Sequence, residues 1–159
     1  MIGAARALVA GAFVCVALTA PAAAFLIQTA QVGGGRFIQS GWRSDVLSFW
    51  IDDAGSDDIG AAETVRILRQ SFDVWQRVPS ARVRFDDRGL SRDRAPGGRD
   101  GRNQVIFDET GECLGAPSGS GVIAVTRLST NTFSGQILDA DIIFNGRDHR
   151  FSAEPRAGH

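Results

Sequence analysis

The chain has 159 residues, with 17 basic and 18 acidic side chains and a formal net charge of −1 at pH 7. Balanced, mixed charge argues against a nucleic-acid partner, which is attracted by a basic patch or stripe. Residues 1–24 combine one charge, Arg6, with an apolar run and a small-residue ending at Ala24, an order typical of a secretory signal peptide. The apolar run is shorter than the roughly 20 residues of a membrane-spanning helix. We therefore expect a secreted protein, extracellular or periplasmic, with no membrane partner after cleavage.

The chain that remains after cleavage, about 135 residues, is long enough for one domain with its own core. We divide it into a lead-in at 25–43, one domain at 44–152 and a tail at 153–159. Cys113 is the only cysteine outside the signal peptide, since Cys15 lies within it. The exported chain is therefore not expected to form an internal disulfide.

Hydrophobic periodicity predicts one long helix among five strands. The first strand, 46–51, places Leu47, Phe49 and Ile51 on one face. The helix, 61–78, carries apolar residues at spacings of three and four before Pro79. Four further strands are predicted at 81–86, 103–108, 122–128 and 136–144. Because a strand–helix–strand unit usually joins parallel strands, the first two should be parallel. The fold class is α+β, close to α/β: a sheet backed by one long helix.

The apolar stripe of the helix is expected to be core. Its members are Ala61, Val65, Leu68, Phe72 and Trp75, widened by Ile67, Val74 and Val78. The Arg-rich stretch 88–102 is interpreted as a solvated loop and not as a phosphate site. It also lacks the aromatic residues that stack on nucleic-acid bases.

The last predicted strand carries the candidate metal ligands. Asp139 and Asp141 share one face because side chains alternate along a strand, and the opposite face is apolar and expected to pack. Paired carboxylates can bind a hard cation such as calcium, accept hydrogen bonds from a loop or an arginine, or perform acid–base chemistry. His149 and His159 lie in a patternless segment and do not supply a zinc site, and no His-Glu-x-x-His motif occurs.

The order of these segments resembles the N-terminal portion of the matrixin-like branch of the metzincin zinc endopeptidases. The likeness covers roughly residues 44–152, and the last of its segments is the most distinctive. The segments that carry it are the first strand and a helix ending in FDVWQRV (72–78), then NQVIF (103–107), GVIAVT (121–126) and SGQILDADIIFN (134–145).

The resemblance implies a twisted five-stranded sheet, mostly parallel, with an antiparallel edge strand. It also implies peptide-bond hydrolysis by a zinc-bound water with a glutamate as general base. A protein or peptide substrate would lie along the edge strand by strand addition. The residues that this assigns to the substrate are Val122, Ile123, Ala124 and Val125.

In that family the zinc ligands follow the fifth strand on a second helix. We therefore expect the zinc site beyond residue 159, with no catalytic residue in this chain, which would be a fragment of a longer enzyme and unstable alone. The family's structural-metal histidine is replaced near its position by Asp141, which leaves calcium as the metal for Asp139 and Asp141. The alternative is a non-enzymatic exported module that binds peptides or calcium.

Overall fold

The computed structural model describes residues 29–94 and 100–154. The predicted signal peptide and its cleavage point, part of the Arg-rich stretch and the end of the tail lie outside the described residues. No helix in the described part of the chain is long and apolar enough to cross a membrane.

The described residues form a five-stranded sheet with one long helix and a separate two-stranded hairpin. The elements are β1 (Thr29–Val32), β2 (Arg36–Gln39), β3 (Val46–Asp52), α1 (Ala61–Gln76), β4 (Arg84–Ser91), β5 (Asn103–Asp108), β6 (Ala124–Thr130) and β7 (Ile137–Asn145). The large sheet has the order β4-β3-β5-β7-β6, and its pairs are parallel except for antiparallel β6 at one edge. This confirms the predicted α+β class and the mostly parallel sheet.

The lead-in contains the hairpin β1–β2, which the sequence did not predict. Its strands have four residues each, and a 3-10 turn of three glycines, Gly33–Gly35, joins them. Gly34 and Gly35 have positive φ, which glycine adopts readily. The chain after the hairpin is tied to the main sheet because Gly41 donates to the carbonyl of Gly135 and accepts from the N–H of Ile137.

The second predicted strand, 81–86, was placed wrongly. β4 begins at Arg84 and continues to Ser91, so the first part of the Arg-rich stretch is strand. Its pairing with β3 advances three residues, Asp87 to Leu90, while β3 advances two. One extra residue is thus absorbed as a bulge beside Gly89, whose φ is 95°. The polar bulge broke the alternation on which the prediction relied.

β5 has the predicted bounds and α1 the predicted start, and the other boundaries moved by one or two residues. The helix ends at Gln76 and not at residue 78, β6 covers 124–130 and not 122–128, and β7 covers 137–145 and not 136–144. The shift of β6 matters most for function, because two of the four residues assigned to the substrate lie before the strand.

The core lies between α1 and the β3–β4 half of the sheet. Phe49, Phe72 and Phe85 form an aromatic cluster in which the ring of Phe72 lies 4.0 Å from that of Phe49 and 4.8 Å from that of Phe85. Ile51 and Val65 are buried beside them. Burial of such side chains typically stabilises a fold by about 1.5–3 kcal/mol each.

The C-terminal part of the helix stripe is not core, contrary to the prediction. Trp75 is 68% exposed and Val74 60% exposed, and Val78 beyond the helix is 41% exposed. The helix packs against Phe49, Ile51 and Phe85 of β3 and β4. The side chains at the end of the stripe therefore project past the covered half of the sheet.

Candidate functional site

The loop between β5 and β6 is organised by one carboxylate at the end of β5. Asp108 accepts backbone N–H groups from Gly111 at 2.8 Å and from Cys113 and Leu114 at 2.7 Å each. Burial opposes ionisation of this group, but the hydrogen bonds from Leu114, Gly111 and Cys113 outweigh it and hold the pKa of Asp108 below its usual value. The ionised carboxylate thus fixes the path of the loop over the sheet.

A second carboxylate, after β7, fixes the end of the same loop. Asp148 accepts the hydroxyl of Ser118 at 2.9 Å and the N–H of Gly119 at 3.1 Å. Arg147 donates to both of its oxygens, at 3.0 and 2.9 Å. The hydrogen bonds from Arg147 first, and then from Asn145, hold the pKa of Asp148 well below its usual range. The turn after β7 and the loop before β6 are therefore joined by charge-assisted hydrogen bonds.

Asn145, the last residue of β7, is hydrogen-bonded to the two residues before β6. It is fully buried, and its side-chain amide donates to the carbonyl of Val122 at 2.7 Å. Its backbone N–H donates to the carbonyl of Ile123 at 2.8 Å. Val122 and Ile123 thus lie before β6 with their carbonyls directed at Asn145, whereas Ala124 and Val125 are the first residues of the strand.

β6 is an edge strand within the described residues. It pairs antiparallel with β7 on one side, from Ala124 with Phe144 onward, and the sheet order places no strand on its other side. An edge strand presents a row of backbone N–H and C=O groups that can pair with another chain. This free edge is the candidate peptide-binding feature.

Asp139 and Asp141 do share one face of β7, as predicted, but that face is buried. Their exposed fractions are 1% and 2%. Asp141 accepts the backbone N–H of Gln104 at 2.9 Å. Neither oxygen of Asp139 has a hydrogen-bond partner within the described ranges, and the same holds for the buried side-chain oxygen of Gln104.

Asp139 is electrostatically unusual. Burial first, and then the neighbouring charges of Asp141 and Asp100, raise its pKa from 3.8 to about 7. A buried carboxyl that lacks partners and faces other carboxylates favours its neutral form. Near neutral pH this group is therefore available either to hold a proton or to be neutralised by a cation.

The described residues supply no metal centre built from three or more His, Cys, Asp or Glu side chains. His149 lies in the turn after β7, where the buried Nε2 has no partner in the described part of the chain. His159 lies outside the described residues. The residues that are described therefore do not fit a zinc site.

The apolar face of β7 packs only in part: the ring of Phe144 stacks on that of Phe107 at 4.7 Å, but the rest of the face is partly open. Leu138 is 42% exposed, and Ala140, Ile142 and Phe144 are half-buried. A groove of about 120 Å³ runs here between the aromatic cluster and the edge of the sheet, and its walls include Phe72, Val105, Thr126, Ala140 and Ile142. A second groove, of about 210 Å³, continues past Leu68, Trp75 and Phe144. We call this surface, the α1 side of β5, β7 and β6, the open face.

The chain after β7 returns to the open face. The ring of Phe151 lies 5.2 Å from that of Phe107 and 5.7 Å from that of Phe144, edge-on to both. Asp58, just before α1, accepts the N–H of Phe151 at 3.0 Å and a guanidinium N–H of Arg150 at 2.8 Å. Arg150 and Phe151, which lie in a segment without a sequence pattern, are thus held between the helix start and the sheet.

Sequence reasoning identified β7 and its two aspartates but missed Asp108, Asn145 and Asp148. Asp108 and Asn145 are the last residues of their strands and Asp148 lies in the turn after β7, positions where a short polar side chain can bond the backbone of a neighbouring loop. A short polar residue at or just after a strand end was therefore the sequence feature that could have identified them. Comparisons of this chain with family models, with curated proteins and with solved structures return no match.

Proposed function

We propose that this chain is the N-terminal subdomain of a secreted zinc endopeptidase of the matrixin-like branch, with its zinc ligands on a segment beyond residue 159. The open face is the observation that carries the proposal. It is apolar, lies beside α1 and extends across three strands. Helices pack about 8–10 Å apart, so a second helix beside α1 would cover it.

The direction of the chain supports the same proposal. Phe151 packs on Phe107 and Phe144, and its N–H is bonded to Asp58. A segment following this anchor starts at the margin of the open face. A helix on that segment would need no long connection to reach it.

The role of the described residues would be to bind and position a protein or peptide substrate. The free edge of β6 offers backbone groups to an extended peptide. Asp108, Asn145 and Asp148 hold the loop that leads into that edge. Hydrolysis itself would depend on zinc ligands and a general base outside this chain.

The test is to express the longer protein that the gene encodes when it is translated past residue 159. Its zinc content and its hydrolysis of an unstructured protein such as casein are then measured. We expect about one zinc per chain, with hydrolysis that a chelator abolishes. The chain that ends at residue 159 is the matched control and should not hydrolyse casein. A longer protein that contains no zinc or does not hydrolyse casein would refute the proposal.

A non-enzymatic calcium-binding module is the second candidate, favoured by Asp139. Its two oxygens are buried and have no hydrogen-bond partner within the described residues. Oxygen atoms are the ligands that calcium takes. If calcium binds here, millimolar calcium should raise the melting temperature of the chain but not of Asp139→Asn. An unchanged melting temperature of the wild type would exclude this candidate.

A further inference from the structure

We infer that a pocket at the amino ends of β3, β5 and β7 binds a small organic carboxylate with an apolar body, and that the guanidinium of Arg43 pairs with its carboxylate. The pocket lies at the opposite end of the parallel strands from the contact of Phe151 with Phe107 and Phe144. None of the residues assigned to a peptide substrate lines it. The inference is therefore independent of the zinc site and of any chain beyond residue 159.

The chain between the hairpin and β3 forms one wall of this pocket. The backbone of Gly41 is hydrogen-bonded, at 3.1 and 2.9 Å, to the start of β7 and the turn before it. The hydroxyl of Ser44 donates to the carbonyl of Val46 and accepts its N–H, which makes a local turn into β3. Trp42 and Arg43 therefore span from β7 to β3, and β5 lies between these two strands in the sheet.

The pocket has room for a ring and a short side chain. Its volume is about 240 Å³, and a cavity of about 150 Å³ is enough to hold benzene. Leu47, Ile137 and the half-buried Trp42 give it apolar walls. Contact with these walls would remove the apolar body of a ligand from water, and a few polar groups would fix its orientation.

Two polar side chains in the walls are already hydrogen-bonded within the protein. The amide of Asn103 donates to the carbonyl of Ser48 and accepts the N–H of Ala140, both at 2.8 Å. The hydroxyl of Ser48 donates to Asp86 at 3.4 Å and accepts from Arg88 at 3.2 Å. These groups hold the strands together, so recognition of a ligand falls to other residues.

The side chains of Arg43 and Gln136 line the pocket and have no partner within the described residues. Several other arginines of the described chain form ion pairs with Asp or Glu side chains. Among the described residues, none that lines the pocket is acidic, since Asp45 and Asp100 lie outside its walls. A guanidinium carries only N–H donors and pairs best with a carboxylate, to which the amide of Gln136 can add one donor.

The experiment is a calorimetric titration of the protein with phenylacetate and with its uncharged isostere phenylacetamide, at millimolar concentrations. We expect phenylacetate to bind at least about tenfold more tightly than the amide. Arg43→Gln should weaken binding of phenylacetate by about the same factor and leave phenylacetamide unchanged, because the apolar walls remain. Arg36→Gln is the matched control, since Arg36 is exposed on β2 and does not line the pocket, and it should change neither affinity. No binding of phenylacetate, equal binding of the two probes, or equal losses in both variants would overturn the inference.

Nuclear magnetic resonance locates the probe independently of its affinity. Phenylacetate should shift the indole N–H of Trp42 and the side-chain amide of Gln136, which line the pocket, and leave the indole N–H of Trp75 unchanged. Shifts at Trp75 with none at Trp42 would place the probe on the open face and overturn the inference. Zinc content and casein hydrolysis of the longer protein decide the proposed function separately, so either can fail alone.

Discussion

Buried carboxylates give this fold its most specific local features. Asp108 and Asp148 are surrounded by donors and remain ionised, whereas Asp139 has no partner within the described residues. The difference comes from the backbone around each side chain. Asp108 accepts loop N–H groups, and Asp148 accepts hydrogen bonds from Arg147. Asp139 instead lies near the charges of Asp141 and Asp100. Each environment leads to a measurable consequence.

Stability should fall as pH rises from about 4 to about 7 because of Asp139. Its pKa is about 7 in the folded chain, from an ordinary value of 3.8. Between these values the folded state binds more protons than the unfolded state, so the free energy of unfolding decreases as pH rises. Asp139→Asn should remove this dependence and stabilise the chain at pH 8 by on the order of 2 kcal/mol. Urea unfolding at a series of pH values measures both effects, and a variant as pH-dependent as the wild type would contradict them.

Removal of the Asp108 carboxylate should destabilise the fold strongly. Asp108→Ala leaves the N–H groups of Gly111, Cys113 and Leu114 without their acceptor. A single hydrogen bond to a charged group contributes about 1.5–3 kcal/mol, and contributions to one acceptor are less than additive, so a total loss of about 2–4 kcal/mol is expected. Asp86→Ala is the matched control, since Asp86 makes an exposed ion pair with Arg88 and should cost less than about 1 kcal/mol. Equal losses in urea unfolding would show that the Asp108 hydrogen bonds do not stabilise the loop.

At the scale of elements, the helix has a covered part and an open part. Phe72 packs in the aromatic cluster, whereas Trp75, three residues later, is 68% exposed beside the open face. In the chain ending at residue 159, Phe72→Ala should cost about 2–4 kcal/mol of unfolding free energy. Trp75→Ala should change it by no more than about 0.5 kcal/mol. A large loss from Trp75→Ala would mean that this end of the helix is already buried in solution.

The elements that the sequence predicted well are those whose pattern is local. β3 and β5 alternate apolar residues, and α1 carries a regular stripe, so each was placed within two residues of its bounds. The hairpin was missed because its strands of four residues are too short to show a period around the glycine turn. β4 was misplaced because its bulge beside Gly89 interrupts the alternation.

The candidate site was less predictable than the elements because it depends on pairing across the sheet. The sequence showed that Asp139 and Asp141 share a face, but not that this face is buried while the apolar one stays partly open. It also could not show that the side-chain amide of Asn145 donates a hydrogen bond to the carbonyl of Val122, just before β6. Both facts follow from tertiary contacts, for which the spacing of residues along the chain carries no signal.

At the scale of the whole molecule, one side of the sheet is half covered. α1 protects β3 and β4, and the open face exposes apolar surface over β7 and β6, whereas Val105 and Phe107 of β5 are buried. Exposed apolar surface of this kind marks a site of further packing. If a following segment covers the open face, the longer protein, translated beyond residue 159, should melt at a higher temperature than the chain that ends at residue 159. Scanning calorimetry of both products checks this, and equal melting temperatures would mean that the face stays uncovered.

The most direct test of the central claim, that a zinc-bearing segment after residue 159 completes this chain, is the sequence of the coding DNA beyond the His159 codon. We expect the reading frame to continue and to encode His-Glu-x-x-His within roughly the next 10–25 residues, the motif in which two histidines on one helix face bind zinc. A stop codon directly after His159 would contradict the claim and leave the chain as a binding module.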